Sequence, residues 1–185
     1  MQNEIVRTSV IGYSTLLALS LGTLYWRGRL VELFAFPGWG RLLEGILTGC
    51  VLAGTALIGF EALRRTFDWA AALDREFRVL LRPLRLHGAI VVALLSGVGE
   101  EVFFRGLVQP ALGIWITSIL FGAMHFPVNR RLIPWTALAV VMGLGFGVVY
   151  EATGSLLSVI AAHVTINLAG LLEVVYEKES PDRFG

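Results

Sequence analysis

The sequence predicts an all-α, polytopic membrane helix bundle of about six transmembrane helices. Three observations carry that expectation. Of 185 residues, 56% are apolar and 16% charged, against the quarter or so of charged residues in a soluble domain. Mean hydropathy is +0.73. Apolar runs of about 20 residues, the length a helix needs to cross a bilayer, recur along the chain. Residues 1–185 read as a single integral membrane domain, with 87–176 as its motif-bearing core. A net charge of +1 leaves nucleic-acid binding without an electrostatic basis.

The first span, Ile5–Trp26, is too long for a signal-peptide core and lacks a clear small-residue cleavage site, so it reads as a retained helix. The second, Leu42–Leu63, contains Gly45 and Gly49; the fifth, Leu132–Tyr150, contains Gly143 and Gly147. Small residues four apart let helices approach closely in a membrane. Between these lie His87–Val108 and the short Gly113–Phe126, joined through Pro110 and a turn at Leu112-Gly113, with Pro127 ending the fourth span. The turn Glu151–Gly154 leads into the sixth, Ser155–Tyr176. The lone cysteine, Cys50, excludes an internal disulfide and argues against a cysteine-rich metal site.

Arg7, the cluster Arg64 to Arg85, Arg130, Arg131, Lys178 and Arg183 fall on one side of this topology; Arg27, Arg29 and Arg41 fall on the other. The positive-inside rule therefore puts both termini and the Arg64–Leu86 linker in the cytoplasm. That linker interleaves Phe67, Trp69, Leu73, Phe77 and Leu80 with its arginines. It reads equally as an amphipathic helix on an anionic leaflet or as a basic connecting helix.

The third span contains adjacent carboxylates, Glu100 and Glu101, and the fourth and sixth contain His125 and His163. Ionisable groups at membrane depth cost roughly 2.5–3.5 kcal/mol each on insertion scales and mark function by default. A hairpin at Leu112-Gly113 puts Glu100 and His125 each about 18 Å from the bend, and His163 lies about 15 Å beyond the next turn on that face, at the helical rise. Three polar side chains thus share a depth. Successive helical residues diverge by about 100°, so Glu100 is assigned to the cavity and Glu101 to an ion pair with Arg105, four residues on. Phe121 shares a face with His125, and Asn167 with His163. His87, at a span boundary, reads as an interfacial residue.

A carboxylate beside a histidine activates water, and a second histidine with an amide supplies donors for an oxyanion. Glu100 and His125 are the candidate water activators, with His163 and Asn167 as oxyanion stabilisers. No serine stands in a nucleophile-elbow pattern and no paired intramembrane aspartates occur.

The same residues resemble the CPBP family of CAAX-protease and bacteriocin-processing proteins, also called Abi. Its motifs E-E-x-x-x-R, F-x-x-x-H and H-x-x-x-N stand here as Glu100-Glu101-Val102-Phe103-Phe104-Arg105, Phe121-Gly122-Ala123-Met124-His125 and His163-Val164-Thr165-Ile166-Asn167. The resemblance spans roughly Ile90 to Leu171. It implies a glutamic-type intramembrane endopeptidase related to the eukaryotic Ras-converting enzyme, with Glu100 activating water and without a cofactor or metal. Two alternatives stay open: a zinc-dependent peptidase using Glu100, His125 and His163 as ligands, or a non-catalytic scaffold or immunity protein. A proton-coupled transporter is disfavoured by the lack of an inverted repeat. The expected partners are the lipid bilayer and a membrane-associated protein or peptide substrate. The small size points to a prokaryotic plasma membrane. The oligomeric state and the natural substrate are not readable.

Overall fold

A computed structural model describes residues 2–33, 38–127 and 129–179. Among these no strand occurs. The chain forms α1 (Gln2–Trp26), a single turn α2 (Leu30–Leu33), α3 (Trp39–Thr66), α4 (Asp68–Leu81) and α5 (Leu86–Phe103). A π-helical turn, Phe104–Val108, leads into α6 (Gln109–Met124), and a 3₁₀ turn, Arg130–Leu132, precedes α7 (Ile133–Thr153) and α8 (Leu156–Glu179). All-helical architecture follows from the solvent, because a chain crossing hydrocarbon must satisfy its backbone hydrogen bonds internally.

Among the described residues five continuous apolar runs are long enough to span a bilayer, one fewer than the six expected segments. The difference lies in Leu86–Met124, a single 39-residue run that contains the expected third and fourth segments. It is not straight. Gly113 has φ 76° and ψ 169°, outside the helical region, a conformation that costs glycine little. Unbroken helix would hold Glu100 and His125 about 37 Å apart; instead His125 Nε2 lies 3.6 Å from Glu100 Oε2. The rings of Phe104 and Phe121 are 4.9 Å apart. The run is an antiparallel hairpin turning at Gly113, where the Leu112-Gly113 turn was expected.

Helix α5 packs on α1 and α8, α3 packs on α8, and α6 packs on α7. The small residues set these approaches. A Cβ on Gly45 would stand 2.6 Å from Ser158 Oγ, and one on Gly49 would collide with the Ser158 carbonyl. On α7, a Cβ on Gly143 would meet Ser118 Cα at 3.2 Å and one on Gly147 would meet Ile114 at 2.7 Å. Large apolar side chains such as Leu19, Val51, Ile58, Trp115 and Ile119 point outward, as lipid-facing surfaces do. Cys50 is among the exposed residues of α3.

Helix α4 realises the basic linker. Ala70 and Leu73 are buried, and Phe77 packs edge-on against Trp135 of α7 at 5.1 Å. Asp74 pairs with Arg64 and Arg78 at 3.3 and 2.7 Å, and Glu76 pairs with Arg131 at 2.8 Å. The helix is thus both amphipathic and docked on the bundle, with Trp69, Val79 and Leu80 left exposed.

Candidate active site

Helix α5 carries both glutamates, and their divergence around the helix sends them to different neighbours. Glu100 is 4% exposed and Glu101 fully buried. Glu100 faces His125, at the C-terminal end of α6. Helix α6 stops at Met124, two residues short of the Phe126-Pro127 step, and His125 is its C-cap with φ −95° and ψ 13°. The His125 Nδ1–H donates to the Phe121 carbonyl at 2.7 Å, which leaves Nε2 as the ring nitrogen that faces Glu100. Among the described residues Glu100 Oε2 is buried without a hydrogen-bond donor. A buried carboxylate oxygen in that condition calls for a functional explanation.

The other flank of Glu100 is closed by α1. The Tyr13 hydroxyl stands beside its carboxylate, close enough to interact with it electrostatically. Helix α1 comes this close because Gly99 has no side chain: a Cβ there would lie 3.2 Å from the Tyr13 carbonyl oxygen.

Glu101 points towards α7 and α8. Its Oε1 accepts from His163 Nδ1 at 2.6 Å and from Arg105 Nη1 at 3.4 Å. Arg105 Nε lies 3.1 Å from Oε2, a charge contact without hydrogen-bond alignment. Arg105 is fully buried. Its Nη2 donates to the Gly143 carbonyl at 2.6 Å, and its guanidinium carbon lies 5.9, 5.1 and 5.4 Å from the ring centroids of Phe104, Phe121 and Phe146. The π-turn begins here: the Phe104 N–H is shared between the Glu100 and Glu101 carbonyls, and the Gln109 N–H reaches back to the Phe104 carbonyl. Such wide turns cluster at functional sites.

His163 is 4% exposed. Its ring stacks on Phe146 at 4.8 Å and 16° and lies edge-on to Phe121 at 5.8 Å. Phe121 also contacts the His125 ring at 4.7 Å and so touches both imidazoles. Asn167, one turn beyond His163, donates from Nδ2 to Ser96 Oγ at 2.9 Å. The structure therefore brings all seven singled-out residues, Glu100, Glu101, Arg105, Phe121, His125, His163 and Asn167, into one cluster. The Glu101–Arg105 pair is present, and Glu101 also holds His163, which spacing alone did not indicate. Tyr13, Ser96, Gly143 and Phe146 were missed.

Among the described residues no three histidine, cysteine, aspartate or glutamate side chains converge as a metal-ligand set. Glu151, near a helix end, accepts from Gln109 at 3.1 Å, and Glu173 pairs with Arg78 at 3.2 Å. Both lie outside the cluster.

Residues 82–169 match the Rce1-like family, described as type II CAAX prenyl endopeptidase. The resemblance drawn from the three motifs is thereby shown. A Bacillus subtilis protein described as uncharacterized, YpbD, is 33% identical over 96 residues, which cover 51% of this chain and 49% of that protein. The chain thus spans about half the length of this curated relative. No solved structure matches it. The matched region contains every residue of the three motifs, Tyr13 lies outside it, and the family is one of CAAX protease-type endopeptidases acting in membranes. The chain is an integral membrane protein, and its residues 82–169 are similar to the Rce1-like family.

Proposed function

We propose that this protein is a metal-independent glutamic endopeptidase that hydrolyses a peptide bond of a membrane-associated protein or peptide precursor. The observation that carries the reading is the Glu100–His125 pair, with Oε2 and Nε2 3.6 Å apart on the two arms of a membrane hairpin. A water donating one hydrogen to each has its oxygen lone pair directed away from both. Glu100 takes the proton as that oxygen bonds to the scissile carbonyl carbon. The resulting oxyanion accepts from the Asn167 amide and from His163 Nε2. For Nε2 to donate while Nδ1 bonds Glu101, the ring holds both protons, and Glu101 supplies the counter-charge. When the tetrahedral intermediate collapses, the C–N bond breaks, and Glu100 returns its proton to the leaving nitrogen.

A zinc site formed by Glu100, His125 and His163 has less support. His163 Nδ1 is engaged by Glu101 at 2.6 Å, and among the described residues no three such side chains converge as a metal-ligand set. By the positive-inside rule, the arginine-rich Arg64–Leu86 linker and the other basic loops support a reading with both termini in the cytoplasm of a prokaryotic plasma membrane.

The test uses purified protein in proteoliposomes and a quenched fluorescent peptide ending in a farnesylated CAAX sequence. Wild type is expected to cleave it. Glu100→Gln, nearly isosteric, is expected to insert and unfold like wild type while turnover falls to background. A Glu100→Gln variant that retains turnover refutes the assignment of the base. An intact peptide with active wild type on other membrane precursors refutes a prenylated substrate.

A further inference from the structure

Asn167 is held by a contact that the proposed chemistry does not use. Its Nδ2 donates to Ser96 Oγ at 2.9 Å, and Ser96 Oγ donates in turn to the Ala93 carbonyl at 3.3 Å. The order of donors is forced. A carbonyl only accepts, so the Ser96 hydrogen is committed to Ala93, and the hydroxyl oxygen must receive an N–H from Asn167. This decides which end of the carboxamide faces Ser96, an orientation that amide density alone seldom decides. Among the described residues the second Nδ2 hydrogen has no protein acceptor.

Ser96 is 3% exposed and precedes Glu100 by one helical turn, so both lie on one face of α5. One turn further along both helices, Glu101 bonds His163. Between these rungs a Cβ on Gly97 would stand 3.0 Å from the Val164 amide nitrogen. Helices α5 and α8 are therefore clasped by two polar rungs, each ending on one of the two proposed oxyanion donors. The rotation of an asparagine carboxamide about its last torsion is broad. A donor stabilises an oxyanion only when it is oriented before charge develops, and the Ser96 rung removes that rotational freedom.

We propose that Ser96 is a positioning residue for peptide-bond hydrolysis: its hydroxyl holds the Asn167 carboxamide so that the second amide hydrogen is presented to the oxyanion. The inference rests on the reading of Asn167 as an oxyanion donor. Ser96 touches neither the water nor the scissile bond; alanine at 96 would leave an amide hydrogen to seek another acceptor and turn the carboxamide with it.

The experiment is a double-mutant cycle on the farnesylated peptide in proteoliposomes, with kcat, KM and thermal unfolding measured for Ser96→Ala, Asn167→Ala and the double variant. Ser96→Ala is expected to lower kcat about 10-fold, within the cost of displacing a catalytic group, with KM unchanged within about 2-fold. Asn167→Ala is expected to lower kcat about 10²–10³-fold. The double variant should match Asn167→Ala alone, because a residue acting through that amide has nothing left to position. A full kcat for Ser96→Ala refutes the proposal, as does a 10-fold loss that persists in the Asn167→Ala background or that tracks the fraction unfolded. If Asn167→Ala itself keeps full kcat, the oxyanion reading fails first; an impaired Asn167→Ala with a silent Ser96→Ala overturns the positioning role alone.

Discussion

Glu101→Gln should destabilise this protein far more than Glu100→Gln, although the two exchanges are chemically identical and adjacent. The reason is what each carboxylate neutralises. Glu101 and Arg105 are both fully buried, and the same carboxylate accepts from His163 at 2.6 Å. Glutamine keeps the shape and one acceptor oxygen but removes the charge. Among the described residues Arg105 then keeps, besides the amide oxygen and the more distant Glu100 charge, the Gly143 carbonyl at 2.6 Å and three aromatic rings between 5.1 and 5.9 Å from its guanidinium carbon. Those contacts exist before and after the exchange, so they do not offset the loss. Removing one partner of a buried pair costs about 3–5 kcal/mol. The surviving amide oxygen argues for the lower end, about 3 kcal/mol, a large share of a typical stability of about 5–15 kcal/mol.

Unfolding in mixed micelles titrated with a denaturing detergent measures this difference directly. Glu100→Gln should lie within about 1 kcal/mol of wild type, since that carboxylate faces Tyr13 and His125 and, among the described residues, meets the Arg105 charge only at longer range and not as a close ion pair. Adding Arg105→Met to Glu101→Gln removes the stranded charge and should restore part of the loss, because apolar side chains in place of a buried ion pair are often neutral or stabilising. A Glu101→Gln variant that unfolds with wild type would refute this account. A double variant no more stable than Glu101→Gln would refute it equally, by showing that the stranded guanidinium was not the cause.

Two further outcomes bear on the chemistry. His163→Ala should lower kcat about 10²–10³-fold, as loss of an oxyanion donor does, with little change in KM; steady-state kinetics in which KM rises instead would make His163 a substrate-binding residue. Exhaustive chelation should leave turnover intact, whereas loss of activity restored specifically by zinc would assign the water activation to a metal-bound hydroxide and remove Glu100 from that role.

Much of the fold was legible because the membrane makes length and polarity decisive. The turn at Leu112-Gly113 followed from a break in an apolar run too long for one crossing, and the structure places the positive φ at Gly113. The close approaches at Gly45, Gly49, Gly143 and Gly147 followed from small-residue spacing. The cluster was legible wherever its members were costly in lipid: two carboxylates, one arginine and two histidines. Phe121 and Asn167 were reached only through their four-residue spacing from the histidines, and other members that cost little were not reached. Tyr13 reads as one more aromatic in an apolar helix, and only the contact of α1 with Gly99 brings it to Glu100. Ser96 is a residue that helices tolerate anywhere by bonding back to their own carbonyls. Phe146 reads as core until its ring is found stacked on His163. Gly143 was read for packing alone, yet its carbonyl also accepts from Arg105; a backbone acceptor leaves no mark on a side-chain pattern.

The adjacency of the two glutamates acquires a physical meaning from the helix that carries them. Neighbours on a helix point about 100° apart, so one short segment of α5 delivers two carboxylates to two different electrostatic settings. Glu101 is enclosed by an arginine and a histidine, which makes it a fixed counter-charge around which α5, α7 and α8 assemble. Glu100 is met by a phenol and by Nε2 of an imidazole. The arginine four residues on is what separates the two: it lies within reach of Glu101 on the same helix face and commits that carboxylate to structure, leaving Glu100 uncommitted. The spacing E-E-x-x-x-R is therefore the shortest way for one helix to carry a buried base together with the ion pair that fixes it in place.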